Sequence, residues 1–311
     1  MTTVEAVTGR TSRLRTYLEL VRFSHTVFAL PFAIMAVLIA VRLGGDGVWS
    51  QPILWLRMSA GVLLCMISAR TAAMAFNRLV DRQIDAANPR TANRHLPRGD
   101  VRVDEVLLLI AGSSATFIAS TLLFLPNWLP LVLATPVLAW LLGYSYAKRF
   151  TMLAHVWLGV ALGLAPVAAW IALRGSAVLA NPADLLPAAL LGIAVALWVS
   201  GFDTIYACQD AQFDAAQGLQ SIPARLGVPR ALRLAAVLHA LTVVVLAVLP
   251  LVVPQLGVIY WSSLAIIAAL LVWEHAIVRP DDLSRVNDAF FTANAVIGVV
   301  LMAAIAADLW L

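Results

Sequence analysis

Asn77, Asp81 and Asp85 recur at intervals of four in the segment NRLVDRQID, and Asp203, Tyr206, Asp210 and Asp214 recur at intervals of three and four in DTIYACQDAQFD. On an α-helix such intervals stack side chains on one face, a turn apart. Carboxylates and an amide gathered in this way are hard oxygen donors. They suit Mg²⁺, which keeps several waters and is typically held by one or two carboxylates together with substrate phosphates. Histidine is absent from both segments, which argues against zinc. Arginines surround them, so the expected substrate carries negative charge of its own. Carboxylate, Mg²⁺, diphosphate and arginine would then form a neutralised sandwich.

The two segments resemble each other. NRLVDRQID aligns with YACQDAQFD, Asp81 over Asp210 and Asp85 over Asp214, and each is followed by a loop with proline and arginine, NRHLPRG and SIPARLG. A weak internal repeat follows: halves at roughly 20–148 and 150–278, a last helix at 288–308, and one membrane domain over residues 1–311. Each half contributes one acidic helix end to a shared cavity.

The elements that carry these segments are read from hydropathy. The 311 residues are 62% hydrophobic and only 12% charged, against about a quarter charged in soluble domains. That composition implies an integral membrane protein. The net charge of +4 gives no sign of a nucleic-acid partner, because the basic residues lie in short clusters between apolar spans. Cys65 and Cys208 both lie in apolar stretches and are expected to be free thiols. Spans are expected at 23–41, 58–77, two within 106–147 broken at Pro126-Asn127-Trp128-Leu129-Pro130, then 150–173, 185–202, two within 234–273, and 289–307. The expected fold is an all-α membrane protein of about nine transmembrane helices in two related bundles around a central cavity.

Of the Lys and Arg residues, 17 fall on one side of this arrangement and 3 on the other, with Arg70 inside a span. The positive-inside rule then places the N-terminus and both acidic segments on the cytoplasmic side of the plasma membrane. Intramembrane carboxylates also mark cation- or proton-coupled transporters, the alternative class of function. That class needs acidic residues near mid-membrane, whereas these cluster at span ends and repeat in the same orientation.

The chain resembles the UbiA superfamily of intramembrane prenyltransferases. The resemblance rests on NRLVDRQIDAANPRTANRHLPRG, on DTIYACQDAQFDAAQGLQSIPARLG and on YSYAKRFT between them. It implies transfer of a polyprenyl group from polyprenyl diphosphate to an aromatic acid acceptor, with two Mg²⁺ ions bridging the Asp clusters and the diphosphate. Asp81, Asp85, Asp210 and Asp214 are the expected metal ligands, with Asn77 a ligand or an orienting group. Asp203 binds metal or accepts a hydrogen bond; both roles stay open.

Lys148, Arg149 and Arg94 bind phosphate or merely anchor the helix ends. Arg22 pairs with an acceptor carboxylate or is one more cytoplasmic anchor, and His25 is a candidate lining residue of the acceptor pocket. Tyr144, Tyr146 and Tyr206 flank an allylic cation or, for the first two, serve as interface tyrosines. His95 is expected to be structural. RFSHTVFALPFA, with Ser24 and His25, and RVNDAFFTANAVIG resemble the branch that prenylates a dihydroxynaphthoate on the futalosine route to menaquinone. Prenylation of 4-hydroxybenzoate in the ubiquinone pathway is the alternative.

Overall fold

A computed structural model describes residues 13, 15–21, 30–44, 51–288 and 294–311. Nine helices of fifteen residues or more occur among the described residues: α1 (Leu30–Gly44), α2 (Pro52–Ala87), α3 (Val103–Ser120), α4 (Leu129–Ala147), α5 (Ala154–Ala180), α6 (Leu186–Ala207), α7 (Val228–Val248), α8 (Val258–Ile277) and α9 (Asn294–Trp310). Seven, α2 to α8, are long and apolar enough to cross a membrane, counting the short 3-10 and helical extensions of α3, α6 and α7. α1 and α9 are shorter apolar helices, and the expected first and last spans run partly outside the described residues.

Local chemistry sets the ends. Proline occupies the first or second position of α2, α4, α6 and α7, where its missing N–H costs nothing. Asn88 and Pro89 stop α2. Glu105 Oε2 accepts from the Arg102 N–H at 2.9 Å and so satisfies a backbone donor at the start of α3. The expected break after α3 is present at Leu125–Trp128. There Asn127 donates to the carbonyls of Ile171 and Ala172 at 2.7 and 3.1 Å, just before Arg174 leaves helical geometry (φ −123°, ψ 23°). Both cysteines are free, as expected.

The core is centred on α6, which packs against α5 and α7. Trp198 lies between Phe32 and Phe202, with ring centroids at 5.3 and 5.1 Å. Lipid tails are as apolar as leucine, so close van der Waals fit rather than escape from water draws such helices together. α5 supplies the fit with Gly159 and Gly163. A Cβ on Gly159 would lie 2.2 Å from the Ala196 carbonyl oxygen, and one on Gly163 would lie 2.4 Å from that of Gly192. These contacts fix the antiparallel register: 163 meets 192, 159 meets 196 and 200, and His155 comes level with Asp203.

Gly159→Ala is expected to force α5 and α6 apart, at an overpacking cost of about 1–3 kcal/mol. The measurement is a thermal melt in detergent, with Gly112→Ala as comparator. A Cβ at Gly112 meets nothing within 4 Å, so that variant should melt like the wild type.

Candidate active site

α2 carries Asn77, Asp81 and Asp85 on one buried face, at 8%, 3% and 4% exposure. A buried carboxylate survives only when its charge is met, and each of these is. Asp81 receives the Lys148 ammonium at 2.6 Å, the Arg149 guanidinium at 3.0 Å and the Asn77 amide at 3.1 Å. Asp85 receives Arg94 at 2.6 Å, with Arg78 at 3.8 Å. Lys148 and Arg149 follow the end of α4, so that end, the end of α2 and the loop after it close on one another.

The second segment is not one continuous α-helix. α6 ends at Ala207, a 3-10 turn covers Cys208–Asp210, and a short helix follows over Ala211–Ala216. The expected single face is therefore stepped. The break falls where partners from the first segment hold Asp210. Asn88 donates to it at 3.0 Å and Arg90 Nε at 2.8 Å, with a second Arg90 nitrogen on its other oxygen. Arg90 also donates to the Tyr206 hydroxyl at 3.0 Å and lies over that ring. Burial works against the Arg90 charge, but the bonds to Asp210 and Tyr206 outweigh it and hold its pKa above the usual arginine value.

The two segments face one electrostatic space. Arg94 acts on Asp210 as well as pairing with Asp85, and Lys148 acts on Asp214 as well as pairing with Asp81. Asp203 accepts from His155 Nδ1 at 2.7 Å. Tyr144 lies within electrostatic reach of both Asp203 and Asp81. Tyr146 stands elsewhere: it is 46% exposed, edge-on to Phe76, with Arg149 over its ring. His95 lies between Glu19 and Asp100, and Arg98 pairs with Asp100, both outside the cluster. Arg22 and His25 lie outside the described residues.

Below the cluster an apolar cavity of about 320 Å³ runs among α2, α3, α4 and α5. Met66, Phe117, Leu141 and Leu162 are among its walls, and Tyr144 stands on it. Arg70 is its single charged lining residue among the described residues. It lies seven residues before Asn77 on the same helix face, about 10 Å deeper. In the sequence Arg70 interrupts a span, and its signal is the cost of a charge at that depth. Arg90, Asn88 and His155 fall outside the spacing pattern of the two acidic segments. Nothing local marks Arg90 apart from Arg98.

As they stand, no three His, Cys, Asp or Glu side chains among the described residues are grouped to hold a metal ion, and arginine and lysine sit on Asp81, Asp85 and Asp210. The donor set nonetheless fits Mg²⁺. Asn77, Asp81, Asp85, Asp210 and Asp214 offer only oxygen and amide groups. Asp85 Oδ2 is buried without a hydrogen-bond donor, already stripped of the water a cation would displace.

The sequence matches the UbiA prenyltransferase family over residues 29–296. The chain belongs to that family. It is an integral membrane prenyltransferase, the enzyme class its motifs implied. Among UbiA relatives, a 4-hydroxybenzoate octaprenyltransferase of Xanthomonas oryzae pv. oryzae is 32% identical over 296 residues, 94% of this chain and 92% of that protein. One from Nitrosomonas europaea is 29% identical over 300 residues, 95% of each chain. The apo structure of a UbiA homolog from Aeropyrum pernix matches with TM-score 0.77 at 34% identity, covering 92% of this chain and 98% of that one. A UbiA homolog from Archaeoglobus fulgidus bound to GPP and Mg²⁺ shares the fold, with TM-score 0.63 at 21% identity over 95% of this chain and 100% of that one. Both of those octaprenyltransferases are named for 4-hydroxybenzoate and not for a naphthoate.

Arg90 and Asp210 should behave as one unit. Arg90→Gln and Asp210→Asn are each expected to lower the melting temperature in detergent without substrate. The double variant is expected to melt no lower than the worse single one, because both remove the same contact.

Proposed function

We propose that the protein transfers a polyprenyl group from polyprenyl diphosphate to the ring of 4-hydroxybenzoate in the ubiquinone branch of respiratory quinone synthesis. The position of Arg70 on the wall of an apolar cavity is the observation that carries the acceptor assignment. A guanidinium there suits an acceptor that carries a carboxylate, which it can hold with two parallel hydrogen bonds. The names of the relatives support the same acceptor.

Asn77, Asp81, Asp85, Asp210 and Asp214 would hold two Mg²⁺ ions beside the diphosphate. When bound, the metal neutralises charge building on the leaving group. Lys148, Arg149, Arg90 and Arg94 sit on these carboxylates and are also within side-chain reach of a diphosphate resting over them. They bind and orient it. Tyr144 and Tyr206 present aromatic rings near the ends of both acidic segments, where an allylic cation forms as the C–O bond ionises. The apolar cavity excludes the water that would convert that cation to an alcohol. The Lys and Arg asymmetry supports a site opening to the cytoplasmic face of the plasma membrane.

The test incubates purified enzyme with Mg²⁺, a polyprenyl diphosphate and either 4-hydroxybenzoate or a dihydroxynaphthoate. Prenylated product and released diphosphate are both measured. The expected result is diphosphate release that requires 4-hydroxybenzoate. Release without any acceptor would make the protein a hydrolase, and product from the naphthoate alone would move the acceptor. Asp81→Asn and Asp210→Asn are expected to leave about 1% of activity or less. Arg70→Leu is expected to raise the KM for 4-hydroxybenzoate about tenfold or more while sparing that for the diphosphate.

A further inference from the structure

Attack of an aromatic ring on an allylic cation leaves one ring carbon bearing both the new prenyl group and its original hydrogen. That hydrogen must leave as a proton, and a water-poor cavity offers few acceptors. Asp81, Asp85 and Asp210 are each held by Lys or Arg. Asp203 differs: among the described residues its ion-pair partner is a histidine, His155, with Nδ1 to Oδ2 at 2.7 Å. The Asp203 side chain is 26% exposed, whereas that of His155 is 8%.

The tautomer of His155 follows from its other neighbour. The backbone N–H of Ile222 points at His155 Nε2, at 3.4 Å. An N–H group only donates, so Nε2 carries the lone pair and Nδ1 carries the hydrogen. His155 is thereby held as a donor to Asp203. A single imidazole N–H orients the carboxylate. The register set by Gly159 and Gly163 brings His155 level with Asp203. Tyr144 lines the cavity with Arg70 and is within electrostatic reach of Asp203.

We propose that His155 is a positioning residue that fixes Asp203 as the acceptor of the ring proton; this rests on the transfer reaction proposed above. The ring C–H bond breaks, its electron pair restores the aromatic sextet, and the proton bonds to the Asp203 carboxylate. The allylic C–O electron pair has already left with the diphosphate. After product release the proton passes from the exposed side of Asp203 to water.

The experiment uses full-length enzyme with Mg²⁺, polyprenyl diphosphate and 4-hydroxybenzoate, either unlabelled or deuterated at the ring carbons beside the phenol. In the wild type, ionisation limits the rate and the label has no effect on kcat. Asp203→Asn and His155→Leu are expected to lower kcat about a hundredfold, leave KM unchanged and reveal a primary isotope effect, because C–H cleavage becomes limiting. His155→Asn places an amide N–H where Nδ1–H stood, and should restore most of kcat and abolish the isotope effect. Wild-type kcat in Asp203→Asn, or a lowered kcat with no isotope effect, would overturn the proposal. Failure of the wild type to prenylate 4-hydroxybenzoate would overturn the transfer reading itself, and is seen before any variant is made.

Discussion

Carboxylates buried at the end of a membrane helix cannot keep their charge without a cation within reach. That constraint organises the acidic end of the molecule. Asp81 draws in the end of α4 through Lys148 and Arg149, Asp85 draws back the loop after α2 through Arg94, and Asp210 is bound to the same loop through Arg90 and Asn88. The Thr91 hydroxyl adds a bond to the Asp85 carbonyl at 3.0 Å. The loop is therefore a clamp between the two acidic segments. The cations that neutralise the carboxylates are also of the residue types that suit a phosphate.

The apolar part of the molecule answers a different requirement. The cavity has walls that water does not wet, which α2 to α5 provide with methionine, phenylalanine, leucine and alanine. Arg70 breaks that rule at one point on the wall. On a lipid-facing surface the same residue would be a liability; here it lines a cavity instead. One polar group elsewhere in the apolar helices has a structural explanation. Asp308 of α9 accepts from the Gly257 and Tyr260 amides, both at 2.7 Å, and so caps the start of α8.

Close helix contact connects the two regions. Gly159 and Gly163 let α5 and α6 approach backbone to backbone. The consequence is felt at the neighbouring turn, where His155 and Asp203 meet. A packing choice in the lipid interior thus fixes a polar contact at the site, because a rigid helix transmits its register along its length.

Much of this was present in the order of residues. Hydropathy marked the apolar spans, the proline-flanked break after α3 was visible at Pro126 to Pro130, and the interval of four in Asn77, Asp81 and Asp85 placed them on one face, as found. These features are local: they depend on helical periodicity and on the solvent a segment prefers. The pairings were not local. Arg90 lies 120 residues from Asp210 and His155 lies 48 from Asp203, and composition does not separate Arg90 from Arg98, which pairs with Asp100 instead. The 3-10 step at Cys208–Asp210 was also hidden, because an acceptable helical pattern runs straight through it. Sequence alone determined that charged faces must exist at the ends of apolar helices. Only the tertiary structure decided which cation meets which carboxylate, since that depends on how closely α5, α6 and the loop after α2 can approach.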